Sequence, residues 1–330
     1  MTIIIRKPQC EIETGAKTTL QGRYRIVATK LDGRSRVVAD WFENLILETG
    51  LVGMGLNHYC TTCVVGTGNA APDTAQTSLQ NLLASTTTVN ARQFGTNDGF
   101  PYYGWARRTY RFATGVATGV ISEVGVGWSS VGLFSRSLIK DSEGNPTSMV
   151  ILSDETLDVT YELRLYANTT DQVSVRTIGG AEHTCTIRPA GLSSVARWAG
   201  DAGTLESQTA ANVTGIGLRP LIFGSTATHE WQIGSSADDM TTFLSQPSVV
   251  NESPHWATKT VAGYLNDKTT RGTATWGLNY GNYAGGIKAV TWTTLGLGTY
   301  QIGFNPPIPK TGAHIFTLNL AVSWDRHGGS

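Results

Sequence analysis

The residues with the clearest chemical potential lie in one short segment, 60–83, which reads CTTCVVGTGNAAPDTAQTSLQNLL. Cys60 and Cys63 have the C-x-x-C spacing of redox dithiols and of half a zinc site. The Gly-Thr-Gly that follows at 66–68 matches part of a phosphate-binding loop. If either motif were functional, the protein would be a metalloprotein, a thiol oxidoreductase or a nucleotide-binding protein.

The element that contains the cysteines argues against that chemistry. Residues 59–65 favour a β-strand, and side chains three apart on a strand point to opposite faces. A redox C-x-x-C usually begins a helix, and a zinc site would need more ligands than the nearby His58. We therefore interpret Cys60 and Cys63 as structural thiols, in preference to a metal site or a redox pair.

The Gly-Thr-Gly and the remaining titratable residues form no catalytic pattern. The loop lacks the third glycine of a dinucleotide-binding turn and the Gly-Lys-Ser/Thr ending of a phosphate-binding loop. The acidic pairs Asp154–Glu155 and Asp238–Asp239 suit a turn and a helix N-terminus, and the six histidines are scattered. The sequence therefore predicts no enzymatic activity, no metal and no cofactor.

Two glycine-rich segments, 99–108 and 276–286, concentrate aromatic residues that could contact a partner. The candidate residues are Phe100, Tyr102, Tyr103, Trp105, Trp276, Tyr280 and Tyr283. Aromatic side chains in such loops stack on sugars or anchor protein contacts, and they also pack the ends of β-sandwiches. Core packing, subunit contact and glycan binding all remain open for these residues.

The composition points away from nucleic acid and membranes. The formal net charge is zero, whereas binding of nucleic acid needs a basic face. Only 15% of the residues are charged, against about 25% in typical soluble domains, which favours life inside an assembly. Met1 precedes no long apolar segment, and no run of 18 apolar residues exists. We therefore expect synthesis in a cytosol without membrane insertion.

Segments of alternating hydrophobicity dominate the chain and predict β-strands. Residues 23–30, 157–166 and 316–324 each place every second apolar side chain on one face. Two short helices are predicted, at 72–83 and 235–244, where a capping pattern precedes an apolar stripe. The capping pairs are Asp73 with Gln76 and Ser236 with Asp239.

The order of these elements repeats along the chain. Each predicted helix follows a strand that ends in glycine, and segment 107–129 matches 271–293 in its rhythm of strand, glycine-rich corner and strand. We infer a mainly β chain of two tandem duplicated β-sandwich-like domains, each with one short capped helix, joined by a linker that contains a hairpin at 172–189. The predicted divisions are an N-terminal arm at 1–19, the first domain at 20–167, the hairpin and linker at 168–212, and the second domain at 213–330.

Several segments resemble structural proteins of tailed-bacteriophage virions. They are WFENLILETGL at 41–51, VVGTGNAAPDTAQTSLQNLLA at 64–84, the stretch 121–166 from ISEVGVGW to LDVTYELRLY, and the stretch 275–326 that ends in FTLNLAVSWDR. The resemblance implies a tail, tail-fibre, baseplate or minor tail component located in the virion. A collar or head-decoration protein and a receptor-binding protein that recognises host glycan are the alternatives.

The same resemblance implies partners. We expect contacts with other virion proteins and a closed cyclic homo-oligomer, for which a trimer or a hexamer is favoured. Host surface glycan is a further candidate partner, through the aromatic residues named above.

Overall fold

A computed structural model shows a chain built mainly of β-strands, as the sequence predicts. The structure describes residues 9–56, 58–194, 221–222, 233–250, 257–265, 268–295 and 297–328. Within these ranges there are 21 strands, one α-helix and a short 3-10 turn at Leu192–Ser194. The mainly β class is therefore confirmed.

The strands and the helix are numbered in chain order. The first part of the chain contains β1 (Gln9–Lys30), β2 (Ser35–Glu43), β3 (Leu45–Ile46), α1 (Glu48–Gly55), β4 (Thr62–Gly66), β5 (Leu82–Thr86), β6 (Val89–Asn97), β7 (Tyr103–Phe112), β8 (Gly119–Ile121), β9 (Glu123–Ser129), β10 (Gly132–Leu138), β11 (Met149–Ile151) and β12 (Glu155–Ala167). The rest contains β13 (Gln172–Ile178), β14 (Ala181–Pro189), β15 (Leu221–Ile222), β16 (Ile233–Ser236), β17 (Thr258–Leu265), β18 (Thr269–Trp276), β19 (Ile287–Leu295), β20 (Gly298–Ile308) and β21 (Ile315–Arg326).

One eight-stranded sheet contains strands from both ends of the chain. Its order is β17-β18-β21-β1-β12-β7-β6, and β2 also pairs with β1. The long strand β1 joins the two sides, because its N-terminal part runs parallel to β21 and its C-terminal part runs antiparallel to β12. This single strand crosses position 19/20, where the sequence suggested a boundary between an arm and a first domain.

Two smaller sheets share a hydrophobic core with the eight-stranded sheet. The five-stranded sheet has the order β3-β10-β9-β4-β5, and the six-stranded sheet has β13-β14-β20-β19-β15 with β16 also on β19. One core cluster contains Tyr24 and Val159 of the large sheet, Val124 of β9 and Val290 of β19. The alternating apolar residues of β1, β12 and β21 therefore form the inner face of the large sheet, as their period of two predicts.

Some of the strand pairings before residue 167 have counterparts after it. In the large sheet, β6-β7-β12 are antiparallel neighbours on one side, and β17-β18-β21 are antiparallel neighbours on the other. In the small sheets, β4-β9-β10 correspond in the same way to β16-β19-β20. A two-stranded ribbon of β8 and β11 belongs to the first part only, in the described residues.

The predicted hairpin at 172–189 is present as β13 and β14. Gly179 and Gly180 form its turn, with φ of 59° and 87°, the left-handed region that a tight two-residue hairpin turn requires. Strand β14 pairs with β20, so the hairpin extends the six-stranded sheet. The predicted linker continues into 195–212, which lies outside the described residues.

Both predicted helices are wrong. Residues 72–81 form turns and irregular structure before β5, and 235–236 complete β16 before a second irregular segment. The capping hydrogen bonds do form in the first segment: the Asp73 carboxylate accepts from the Ala75 amide at 2.8 Å, and the Gln76 side chain accepts from the Asp73 amide at 2.9 Å. They close a single turn and no helix follows, because later backbone amides bind elsewhere: those of Gln80 and Asn81 donate to the Glu123 carboxylate.

The helix that does exist, α1, has a sequence that did not suggest one. Its eight residues, ETGLVGMG, include three glycines, which have low helix propensity. A Cβ on Gly50 would lie 2.2 Å from the carbonyl oxygen of Phe134, so the glycine lets the helix backbone approach β10 closely. Tertiary packing, with Leu51 and Met54 fully buried, stabilises this helix. No helix in the described residues has the length and apolar character needed to cross a membrane.

Candidate protein-interaction surface

The outer face of the eight-stranded sheet carries a cluster of arginine and aromatic side chains. We call it the arginine–aromatic cluster, and it consists of Arg23, Trp41, Tyr103, Trp105, Arg107, Glu162, Arg164 and Tyr166. These residues occupy the positions of β1, β2, β7 and β12 that alternate with the core residues, so the same period that buries one face presents this one outward.

Strand register places the charged members in one row. Glu162 of β12 is opposite Arg23 on one neighbouring strand and opposite Arg107 on the other. In the adjacent row, Arg164 is opposite Trp105. Directly opposite residues on one face of a sheet interact, so this register brings one carboxylate between several guanidinium groups.

The carboxylate of Glu162 binds three arginines at once. Arg23 donates from Nε to Oε1 at 2.7 Å and from Nη2 to Oε2 at 3.1 Å, Arg164 donates from Nε to Oε1 at 2.7 Å, and Arg107 donates from Nε to Oε2. The Glu162 side chain is only 1% exposed. Burial alone would raise the pKa of Glu162, but the hydrogen bonds from the three arginines outweigh it and lower the pKa. Glu162 therefore stays ionised and holds the arginines in place.

The guanidinium groups also stack on aromatic rings. Arg107 lies 4.1 Å from the ring centroid of Trp105 and 5.0 Å from that of Trp41, so it sits against two indoles. Arg23 lies 4.2 Å from the ring centroid of Trp41. A Cβ on Gly95 of β6 would lie 2.6 Å from the Trp105 ring, so this glycine lets the indole lie close to the edge strand. The result is a rigid, partly exposed surface of rings and cations.

Tyr166 extends the cluster toward the end of the chain. Its hydroxyl donates to the Gln21 side chain at 2.7 Å and accepts from Arg164 at 3.2 Å, and its ring stacks on His327 with centroids 3.8 Å apart. Burial raises the pKa of Tyr166 and lowers the pKa of His327. Both rings are therefore held in a neutral, stacked arrangement beside the arginines.

Of the aromatic residues predicted from the first glycine-rich segment, two lie in this cluster. Tyr103 packs against Tyr166 with centroids 4.9 Å apart and lies under Arg164 at 4.8 Å, and Trp105 stacks on Arg107. Phe100 lies outside it and is 83% exposed. Tyr102 turns the other way and meets Phe243 edge-on at 5.9 Å.

The second predicted segment contributes mainly to the core. Trp276 is fully buried and stacks on Phe316 at 5.2 Å. Tyr280 packs partly buried against the same core cluster. The Tyr283 hydroxyl donates to the Ser235 carbonyl oxygen at 3.0 Å, and burial raises the pKa of Tyr283. Trp276 is therefore inaccessible to a partner in this fold.

The cysteines are buried thiols. Strand β4 begins at Thr62, so Cys60 lies before the strand, and the two cysteines do not point to opposite faces as predicted: both side chains enter the same core cluster. Burial raises the pKa of both thiols, and both are free. A buried, protonated thiol is a poor nucleophile and a poor metal ligand.

The Gly-Thr-Gly loop contacts a carboxylate of the protein itself, that of Glu123. The Glu123 carboxylate accepts from the Gly68 amide at 2.9 Å, from the Gln80 amide at 3.1 Å and from the Asn81 amide at 2.8 Å. Arg136 pairs with the same carboxylate at 2.8 Å, and both side chains are fully buried. A Cβ on Gly68 would lie 2.4 Å from Oε1 of Glu123, so the glycine permits this approach. The Gly68 amide of the loop is therefore already hydrogen-bonded to a side chain of the protein.

Other titratable residues are also engaged structurally. Glu155, one of the carboxylates considered for catalysis, accepts from Arg36 at 2.8 and 3.0 Å. This ion pair lowers the pKa of Glu155 to about 2. Among the described residues, no group of three or more His, Cys, Asp and Glu side chains is placed to hold a metal ion.

Of the residues in the cluster, only Tyr103 and Trp105 are among those predicted from the sequence. Arg23, Glu162 and Arg164 lie in segments whose alternation predicts a buried face, and the intervening residues on the same strands form the opposite face. Trp41 and Arg107 join them through pairing between distant strands, for which the sequence carries no direct signal.

No protein-family model, curated protein or solved structure matches this chain.

Proposed function

We propose that this protein is a structural component of a tailed-phage virion that acts by binding copies of itself and other virion proteins. The observation that carries the proposal is the arginine–aromatic cluster on the open face of the large sheet. Tryptophan, tyrosine and arginine are the residues that dominate binding energy at protein interfaces. Here they are pre-ordered by Glu162, which reduces the entropy lost when a partner binds.

The edge of the six-stranded sheet supports the same proposal. Strand β13 ends that sheet, and its Val173 and Val175 are 61% and 59% exposed. An exposed edge strand with apolar side chains can pair with another chain, which isolated proteins usually avoid. The placement of the protein in a virion rests on the segments at 41–51, 64–84, 121–166 and 275–326 that resemble virion structural proteins.

Light scattering on the purified chain, together with mass spectrometry of purified phage particles, tests this proposal. We expect a closed oligomer, such as a trimer or hexamer, and peptides of this chain in intact particles at a stoichiometric ratio to the other structural proteins. Absence from washed particles would overturn the virion assignment. A map of the particle would also show whether the protein is in the fibre, baseplate, collar or head.

Recognition of host glycan is the second candidate function. It is favoured by the exposure of Phe100 and by the partly exposed Trp105 ring beside Arg107, since sugars stack on aromatic rings. A glycan array probed with the wild-type chain and with Phe100→Ala and Trp105→Ala separates this function from assembly. Binding to a defined glycan that both substitutions abolish would favour it.

We propose, further, that the chain contains two tandem copies of one β-rich unit. The support is the matched pairing of β6-β7-β12 with β17-β18-β21 and of β4-β9-β10 with β16-β19-β20. Superposition of the first set of six strands on the second in a crystal structure tests the proposal, because a duplication requires the same directions and the same order in both sets.

A further inference from the structure

We propose that the arginine–aromatic cluster binds an acidic segment of a partner protein, with Arg107 and Arg164 as the carboxylate-binding residues. The proposal rests on the proposed function in one respect, that the protein acts by binding other proteins, and it adds the chemistry of the partner.

The charge of the cluster is the first argument. Three guanidinium groups surround the single carboxylate of Glu162, which leaves two positive charges in excess. Glu43 lies opposite Arg23 on β2, where its carboxylate accepts from the Gln21 side chain at 2.7 Å. Arg107 on β7 and Arg164 on β12 lie on the side of the cluster away from β2, so they are the arginines that another carboxylate would meet there.

Two other arginines of the same face are each paired with one carboxylate. Arg111 donates to Asp158 at 2.6 and 2.8 Å, and Arg25 donates to Asp40 at 3.0 Å. At these two positions one carboxylate balances one guanidinium, whereas in the cluster one carboxylate is shared by three. Opposite charge across an interface selects partners and guides their approach, so the cluster should select acidic ones.

The geometry of Arg107 is the second argument. Its guanidinium lies against Trp41 and Trp105, and Glu162 engages it through Nε. A guanidinium carries five N–H donors in a planar fork, so its two Nη nitrogens can serve a second carboxylate. Its side chain is 27% exposed, so an incoming carboxylate can reach it.

The shape of the surface favours a protein over a sugar or a nucleic acid. The cluster is spread over four strands on one face of the sheet, and its Trp41 also borders a cleft against residues 140–144, whereas sites for small ligands enclose most of the ligand. The chain has a formal net charge of zero, and nucleic acid would need many cations along a track. The ring surfaces of Trp41, Trp105 and Tyr103 between the cations suit a segment in which acidic and apolar side chains alternate.

Fluorescence anisotropy of the full chain with a labelled deca-glutamate peptide tests the proposal, with deca-glutamine as the uncharged control peptide. We expect saturable binding to deca-glutamate that weakens as salt is raised. Arg107→Gln should weaken it about ten-fold or more, the scale of one charge-assisted hydrogen bond. Arg107→Lys should bind with intermediate affinity, because it keeps the charge and loses the planar fork.

Arg111→Gln is the matched control variant, since Arg111 lies on the same strand and face but is neutralised by Asp158. Binding unchanged in Arg111→Gln and lost in Arg107→Gln would support the proposal, provided that circular dichroism shows both variants folded. Equal losses in the two variants, or no saturable binding to deca-glutamate, would overturn it.

Two further outcomes would redirect the assignment. Binding of sulfated or sialylated oligosaccharides but not of deca-glutamate, with the same dependence on Arg107, would overturn the proposal in favour of glycan. If the wild type does not bind the peptide and Arg107→Gln no longer forms oligomers, the proposal is overturned, and the cluster instead binds a second copy of this chain. Detection of the chain in phage particles is a separate measurement, so failure of this proposal and failure of the virion assignment are distinguishable.

Discussion

Two irregular segments, 67–81 after β4 and 237–249 after β16, each follow a strand of a small sheet but are held by different chemistry. The first is tied by the buried ion pair of Glu123 and Arg136. The second is tied by the neutral, fully buried Gln301, which accepts from the Thr241 amide at 2.9 Å and donates to the Thr242 carbonyl oxygen at 3.0 Å. In both places a side chain from a neighbouring strand replaces the helical hydrogen bonds that the local sequence suggested.

The outer face of the large sheet shows a similar contrast. On β7 and β12 it carries the arginine–aromatic cluster. On β18 and β21 the corresponding face carries small polar pairs, such as Thr273 with Asn319 at 2.8 Å and Thr275 with Thr317 at 3.3 Å. The face over β7 and β12 therefore has the residue types typical of an interface core, whereas the threonine and asparagine pairs of β18 and β21 are small and polar.

The largest expected effect comes from breaking the two loop anchors. Arg136→Met leaves the Glu123 carboxylate buried without its cation and should lower the free energy of unfolding by about 3–5 kcal/mol. Gln301→Leu removes neutral hydrogen bonds only and should cost about 1–3 kcal/mol. Urea denaturation of each variant measures both values. A loss in Gln301→Leu as large as in Arg136→Met would remove the distinction between charged and neutral anchors.

Acid should act on the first half of the chain before the second. The lowered pKa values of Glu123, Glu155 and Glu162 all belong to that half. A carboxylate with a lowered pKa stabilises the fold above its ordinary pKa of 4.5 and loses that effect as the pH falls, for Glu155 toward about 2. For Glu155, the loss in the free energy of unfolding between pH 6 and pH 2.5 should be on the order of 2–3 kcal/mol.

Urea unfolding at pH 6, 4 and 2.5, combined with hydrogen exchange of peptides from β12 and β20, measures this effect. Glu155→Gln should be less stable at pH 6 and should depend less on pH than the wild type. Earlier exchange in β20 than in β12 on acidification would contradict the assignment.

A smaller difference in stability is expected between alanine substitutions at Gly68, which has close neighbours, and at Gly285, which has none. Gly68→Ala forces the loop away from Glu123 and should cost about 1–2 kcal/mol. Gly285→Ala is the matched control, because nothing lies within 4 Å of its Cβ position. Thermal unfolding of the two variants gives the comparison, and equal melting temperatures would show that the loop adjusts freely.

The smallest expected effect concerns Cys63. Cys63→Ala removes one buried sulfur atom and should cost about 1 kcal/mol. The native chain should react with iodoacetamide at Cys60 and Cys63 only after unfolding, because burial keeps both thiols protonated. Elemental analysis should find no bound zinc, and stoichiometric zinc or rapid alkylation of the folded protein would restore the reactive interpretation.

Much of the fold was predictable because it depends on local periodicity. The alternation in β12 and β21 gave those strands and their buried faces, and the glycine pair in 172–189 gave the hairpin. The helices were wrong for a physical reason: Asp73 and Gln76 make the same hydrogen bonds in a single turn as at a helix start. A local capping signal cannot report what the following backbone amides will bind.

The candidate surface was only partly predictable. Tyr103 and Trp105 belong to the residues predicted from the sequence because aromatic residues in a glycine-rich segment are visible in composition. Trp276 looked the same in sequence and is buried, since its position on β18 faces the core. Whether an aromatic residue faces a core or solvent depends on the strand's orientation in the sheet.

The sequence by itself determined the β class, the inner faces of the long strands, the hairpin turn and the absence of a recognisable phosphate-binding motif in the Gly-Thr-Gly loop. These follow from side-chain alternation and from glycine conformations, which involve residues close in the chain. Only the tertiary structure decided that Glu123 occupies that loop, that β1 joins the two halves, and that Arg23, Arg107 and Arg164 converge on Glu162. Each depends on pairing between residues far apart in sequence, where register rather than local preference sets which side chains meet.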